Sequence, residues 1–420
     1  MKLRLPRTTT YDLTLMGVVF ALTLLGVAMV FSASGIRALD TLDDPQYYLM
    51  LQAVWAALGL VGMLATMRID YHRYRMFAVP LLVVVVGLLV LVLVPGIGAR
   101  AGGAARWLRA GPVGMQPAEL AKLALILYLA AWLGGRRERV MRPSVILPFF
   151  AVTALLAGLV VAQPDLGTAI VIVAIAMTMY FVAGARLSVF AALAGLVGVV
   201  GLAIAIEQPY RLSRLTTFLD PWSDPRFTGF QTIQSLYGLA LGGLFGEGLG
   251  AGREKFGFLP APYTDSIFAV LGDELGLAGT LVVIVLFFVL AYRGVSIALR
   301  ARDATGALLA VGITTWLVFQ AWVNMAVVAS LVPMTGITLP FISYGGSSIC
   351  VGLVGVGILL NIGRQGIPRA ETTGASVPGP ARGRRDGRTR EPAPRGGRGA
   401  AGGRTRDGAP VRRGATRSRG

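Results

Sequence analysis

Asp265 stands in Thr264-Asp265-Ser266, directly before the apolar run Ile267-Phe268-Ala269-Val270-Leu271. A lone carboxylate there can cap a helix, since its oxygens accept the free amides of a first turn. Beside a cleft, the same group can take a proton from a hydroxyl. Asp273 and Glu274 follow eight and nine residues later. That is about 12 to 13.5 Å along a helix, too far for a close carboxylate pair with Asp265. Two more charged clusters accompany it. In Gln116-Pro117-Ala118-Glu119-Leu120-Ala121-Lys122 the proline suits a first helical turn, and Glu119 and Lys122 at i,i+3 can pair on one face. In Gln163-Pro164-Asp165-Leu166-Gly167-Thr168, Asp165 falls at a helix start, where the helix dipole favours negative charge. These clusters read either as an ion pair and a cap, or as walls of one cavity shared with Asp265.

The elements that must position these groups are membrane helices. Of 420 residues, 55% are hydrophobic and 14% charged, and mean hydropathy is +0.68. A soluble domain carries about 25% charged residues. Ten apolar stretches fall at 13–33, 48–66, 76–94, 118–134, 144–162, 166–184, 187–206, 267–292, 305–328 and 346–363. Most match the ~20 residues a spanning helix needs. The runs Leu81 to Val94 and Val171 to Ala176 are continuously apolar, whereas barrel strands would alternate. The expected fold is therefore an all-α polytopic membrane protein of about ten helices, with a long extracytoplasmic loop between the seventh and eighth. Charges buried in such a fold persist mainly where they face a cavity or a partner, because each costs at least ~2.5 kcal/mol at the bilayer centre.

Positive charge in short loops sets the orientation. With the N-terminus inside, Arg68, Arg73, Arg75, Arg136, Arg137, Arg139, Arg142, Arg186, Arg293, Arg300 and Arg302 lie on the cytoplasmic side. The outer loops then hold Arg37, Arg100, Arg106 and Arg109, and both termini are cytoplasmic. The first stretch, longer than a signal core, is expected to remain as a helix. Residues 1–12 form a cytoplasmic N-terminus, 13–366 the membrane domain, and 367–420 a disordered tail. From Arg364 onward there are 15 arginines against four carboxylates, +11 of the chain's +18, with Gly and Pro and no apolar periodicity. A plain solvated tail is the first reading, contact with anionic lipid headgroups or a partner the second, and specific nucleic acid is not expected as a partner.

The segment 207–266 is the one long interruption, and loops of that length are often functional. It carries Arg211, Arg214 and Lys255, and a glycine-rich stretch from Gly238 to Gly252 whose expected role is tight packing. The apolar stretch Ile233 to Phe245 is expected to form short helices at the membrane surface. His72 is the single histidine and Cys350 the single cysteine, so zinc ligation and an intrachain disulfide are excluded. No Walker loop closes the glycine run with Lys-Ser/Thr.

At Arg106-Trp107, Gln116 to Lys122, Gln163 to Thr168, the loop from Arg214 to Asp265, and Leu339-Pro340-Phe341-Ile342-Ser343-Tyr344-Gly345-Gly346-Ser347-Ser348, the sequence resembles the SEDS family (shape, elongation, division and sporulation) over about residues 11 to 366. Phe218-Leu219-Asp220-Pro221-Trp222 and Gly248-Leu249-Gly250 look more like its division branch, FtsW, than its elongation branch, RodA. The resemblance implies a peptidoglycan glycosyltransferase that polymerises lipid II outside the cytoplasmic (inner) membrane, at the division septum. It further implies a class B penicillin-binding protein transpeptidase and other divisome membrane proteins as partners. Asp265 matches the family's essential loop aspartate. Ala261, Tyr263 and Ser266 stand where the family usually has Glu, His and Phe.

That resemblance gives the groups named above roles. Asp265 would be the general base for the acceptor hydroxyl in one inverting displacement. Arg211, Arg214, Lys255 and Lys122, the last oriented by Glu119, would stabilise the leaving undecaprenyl diphosphate. Asp165 and Arg106 would shape the substrate cavity, and Asp165 is the candidate holder of a divalent cation, Mg or Mn, with no cofactor otherwise required. Two competing readings remain: a lipid II flippase, and a scaffold that only recruits the transpeptidase.

Overall fold

A computed structural model describes residues 11–366, apart from 102–103, 111–112, 208, 254, 256–258 and 261. The expected cytoplasmic N-terminus, residue 11 onward excepted, and the expected disordered tail lie outside the described residues. Each apolar stretch forms one helix: α1 Leu13–Leu42, α2 Tyr47–Arg68, α3 Tyr74–Leu93, α4 Pro117–Gly134, α5 Pro143–Ala162, α6 Leu166–Val182, α7 Leu187–Glu207, α10 Ile267–Leu299, α11 Ala304–Val328 and α12 Gly346–Gln365. Among the described residues eight helices are long and apolar enough to cross a membrane, and Leu166–Val182 and Leu187–Gly201 are shorter apolar helices. The chain is an integral membrane protein.

Helices α4, α11 and α12 are mostly buried, whereas α2, α3 and α5 turn large apolar side chains outward. Lipid is as apolar as those side chains, so interhelical packing depends on close approach of small residues. The α2–α12 contact shows this. Gly357 lies against Met63 and Thr66, and Gly59 and Gly62 of α2 meet Leu353 and Val354. At the end of the bundle away from the long loop, His72 sits between Asp70 (Nδ1, 2.7 Å) and Asp303 (Nε2, 2.8 Å), tying the α2–α3 turn to the start of α11.

Three features add detail to the sequence expectation. The connection before α4 carries a small antiparallel sheet, β1 Gly98–Ala101, β2 Ala104–Ala110 and β3 Val113–Met115, within the helical fold. The long loop contains α9 Phe230–Leu241, in the region of the short helices expected over Ile233 to Phe245, and in addition α8 Pro209–Leu219. Helix α10 is interrupted at Gly276 (φ 65°, ψ −164°).

That interruption explains the glycine-rich stretch. Breaking a helix frees backbone donors and acceptors that must find partners where water is excluded. Here Glu247 N and Gly248 N donate to the carbonyls of Asp273 and Glu274 (3.0 Å each), while Leu277 N and Ala278 N donate to Gly243 O (2.9 Å) and Leu244 O (3.0 Å). Backbone meets backbone, and Gly246 and Gly276 must lack a Cβ because each would strike the other's main chain or its neighbours'. The tight-packing role expected of the glycines is what the structure displays. Before the break, Ile267 to Glu274 are buried; beyond it, Leu277, Leu281, Val282, Val285 and Phe288 face outward.

Candidate active site

Asp265 lies just outside α10, whose N-cap is Ser266 with no side-chain cap bond. The carboxylate is therefore not spent on capping. Its Oδ1 accepts Thr264 Oγ1 at 3.0 Å, and Gln231 Nε2 on α9 reaches Oδ2 at 3.5 Å while donating to Ser266 Oγ at 3.0 Å. Ser266, where the resemblance expects Phe, thus supplies an acceptor that fixes Gln231. From the other side Asn324 Nδ2 of α11 donates to the carbonyls of Asp265 and Ile337, both at 2.8 Å. Gly336, at φ 73°, presents its backbone toward Oδ2.

Asp265 is half-buried, and desolvation lifts its carboxyl above the ordinary value; the bonds from Thr264 and Gln231 and the charge of Arg214 oppose that rise. Arg214, on α8, donates to Met334 O at 3.0 Å. It lines a cavity of about 220 Å³ with Ser213, Thr217, Thr228, Gln231 and Thr232. Hydroxyls, one amide and one guanidinium share the lining with Phe218, Val327, Val332 and Met334, and Gln231 links this space to Asp265. On the opposite flank Tyr263 stacks on Tyr48 (4.8 Å), meets Tyr344 edge-on (5.8 Å) and lies under Arg37 (6.0 Å). Burial, together with the neighbouring Tyr48 hydroxyl, pushes Tyr263 up to about 12. Tyr344 N donates to Tyr263 O at 2.8 Å, which joins the Leu339 to Ser348 motif to the residues before Asp265. Ala261 lies outside the described residues.

The other sequence candidates are placed differently. Lys122 and Glu119 form a fully buried pair at 2.8 Å, and Lys122 Nζ also donates to Gln320 Oε1 at 2.7 Å and lies 5.2 Å from the Trp316 ring. Asp165 caps α6 through Thr168 N (3.1 Å), accepts Thr168 Oγ1 (3.0 Å), and is approached by Gln116 Nε2 (3.4 Å). Arg106 donates to Gln163 O (3.3 Å) and to Pro164 O, bracing the turn that leads to Asp165. Lys255 is buried against Glu274 (2.7 Å) and Ser32 (3.1 Å). Arg211 belongs to α8, but its side chain lies outside the described residues. With both oxygens of Asp165 engaged, and no group of three metal-ligating side chains among the described residues, the candidate divalent-cation site finds no ligand set around Asp165. The charge of Arg214 thus acts on Asp265, whereas Lys122, Lys255, Asp165 and Arg106 have partners of their own.

The neutral amides Gln231, Gln320 and Asn324 did not emerge from the sequence. Gln320 and Asn324 carry a usable signal, two polar residues at i,i+4 inside the apolar stretch of α11.

The family of cell cycle proteins comprising FtsW, RodA and SpoVE matches residues 12–366. The chain belongs to this family. It is 45% identical over 370 residues to the probable peptidoglycan glycosyltransferase FtsW of Trichlorobacter lovleyi, covering 88% of this chain and 97% of the relative. It is 43% identical to the stage V sporulation protein E of Bacillus subtilis, covering 85% and 98%. Among solved structures, a peptidoglycan synthase complex that coordinates polymerization and crosslinking contains a chain of 33% identity and TM-score 0.69, covering 84% and 98%. The rod shape determining protein RodA of Thermus thermophilus matches at 29% identity and TM-score 0.64, covering 86% and 99%. The FtsW/RodA/SpoVE match ends at Gly366, where α12 has just closed.

Proposed function

We propose that the chain is a peptidoglycan glycosyltransferase that polymerises lipid II, with Asp265 as general base. The observation that carries this reading is a half-buried carboxylate not engaged in helix capping, beside a cavity of mixed polar and apolar lining that contains a guanidinium. The acceptor hydroxyl gives its proton to the Asp265 carboxylate as its oxygen bonds to the anomeric carbon of the donor sugar. The bond from that carbon to the diphosphate oxygen breaks, and its electron pair leaves on undecaprenyl diphosphate. One displacement turns the α-linked donor into a β-linked product. A carboxyl lifted above its ordinary value is a better proton acceptor near neutrality.

Arg214 is the cation suited to the leaving diphosphate, because it lines the cavity and its charge acts on Asp265. Lys122 and Lys255 are held by Glu119 and Glu274, and they support the site from within the fold. No step is assigned to a divalent cation. The chain would work in the cytoplasmic membrane with both termini inside, at the division septum, beside a class B penicillin-binding protein and other divisome membrane proteins.

The test is glycan synthesis from purified lipid II by wild type, Asp265→Ala and Asp265→Asn. Both variants are expected to lose polymer formation, about 100-fold or more. A correctly inserted Asn variant working at the wild-type rate would refute the base assignment. The broken helix α10 favours one second reading, a lipid II transporter, since transporters build sites at such breaks. In this fold the glycine-rich stretch fills the break with backbone. Lipid II crossing empty liposomes without polymer would favour the transporter.

A further inference from the structure

A polar seam runs down one face of α11. Gln320 Oε1 accepts Lys122 Nζ (2.7 Å) and Trp316 Nε1 (2.9 Å), and its Nε2 donates to Thr338 O at 3.0 Å. One turn further, Asn324 spends both amide hydrogens on main chain: Asp265 O and Ile337 O, each 2.8 Å away. Both side chains are about 1% exposed. The orientation of the Asn324 amide follows from its neighbours, because two converging carbonyl oxygens require a donor between them.

The stretch that Asn324 joins to Asp265 is the one that serves the site. Met334 O takes the Arg214 guanidinium, Gly336 faces the Asp265 carboxylate, and Thr338 receives Gln320. Asp265 itself has no helical turn preceding it, and the side chains that reach its carboxylate among the described residues are Thr264, at 3.0 Å, and Gln231, at 3.5 Å. Its aim therefore depends on where its peptide is held.

We infer that Asn324 is a positioning residue for the glycosyl transfer, locking the main chain at Asp265 to the Met334–Thr338 stretch so that base and Arg214 keep one geometry. This rests on the reading of Asp265 as base. Gln320 extends the same seam to the Glu119–Lys122 pair, so that pair acts on the reaction through α11 rather than by touching substrate. Serine at 324 can donate to only one of the two carbonyls, and aspartate to neither.

The experiment compares full-length wild type, Asn324→Ser, Asn324→Asp and Asp265→Asn in lipid II polymerisation, with kcat taken per monodisperse folded molecule. A misplacement of about 1 Å is worth about 100-fold. Asn324→Ser is expected to lose kcat by about that factor, and Asn324→Asp more, with KM unchanged. The acid limb of the Ser variant should move to lower pH, as the loosened carboxyl regains water. A merely structural role would lower the folded yield, while the folded fraction kept wild-type kcat and pH profile; that result overturns the inference. If Asn324→Ser matches wild type while Asp265→Asn is dead, the positioning role falls and the base stands. If Asp265→Asn is active, the base reading itself falls.

Discussion

Asp265 is a carboxylate pulled in two directions. Desolvation raises its proton affinity, while Thr264, Gln231 and the positive charge of Arg214 lower it. A general base acts only when deprotonated, so polymerisation must fall as pH drops through its pKa, and the acid limb must lie above the ordinary carboxylate value. Replacing Arg214 with Gln removes a group that opposes the rise, so the acid limb should move to still higher pH. The plateau should also drop about 100- to 1000-fold, the usual effect of removing one stabiliser of a developing anion. A pH profile of kcat for the two proteins checks both; a limb that moved downward, or an unchanged plateau, would sink the assignment of Arg214. Asp265 was legible in the sequence because a charge beside a long apolar run stands out, as do Glu119 and Lys122. Gln231 was not, because a neutral amide in a polar loop shows its importance only when the fold reveals the carboxylate it meets, whereas Asn324 with Gln320 stands out only as an i,i+4 polar pair in an apolar helix. Lys255 illustrates the converse. Its charge was visible, but its partner Glu274 is 19 residues away on another element, beyond any local spacing rule.

At the scale of elements, the ten apolar helices were legible because lipid selects length and hydropathy directly. Helices α8 and α9 were harder, being short and amphipathic, and only the α9 stretch carried an apolar signal. The interruption of α10 had no local signature, since a glycine inside a helical run is ordinarily tolerated. The need for glycine at 276 comes from residues 243–248, which dock there. Lys255 fastens the end of the same docked segment, its ammonium 2.7 Å from Glu274 with Ser32 alongside. Removing one member of a buried pair leaves an uncompensated charge, which costs about 3 to 5 kcal/mol, whereas replacing both with apolar groups of similar size is often neutral. Lys255→Met should therefore lower the thermal midpoint sharply, and Lys255→Met with Glu274→Leu should recover most of it. Thermal unfolding in detergent measures this; equal losses in the single and double variants would mean the pair is not what holds the loop to α10.

At the scale of the molecule, bonds among the described residues join the end of α12 to the rest of the fold. Arg364 Nη1 donates to Tyr11 Oη at 2.8 Å, and Asn361, on the last turns of α12, donates to Met67 O at 2.7 Å and accepts Tyr71 N at 3.2 Å. The end of α12 is thus anchored to the start of the described chain and to the α2–α3 turn. The family match covers the same span, residues 12–366. The arginine-rich composition of the tail has a different physical use, attraction to anionic surfaces worth about 1 kcal/mol per basic residue near the membrane, which salt screens. A chain ending at Gly366 should keep the thermal midpoint and the lipid II polymerisation rate of the full chain in neutral detergent, within about twofold. A synthetic peptide of residues 367–420 should bind vesicles containing anionic lipid and release them as ionic strength rises, since the Debye length shrinks from about 10 Å at 0.1 M to 3 Å at 1 M salt. Loss of polymerisation on truncation in detergent, where no anionic surface is present, would instead place the tail in the catalytic fold.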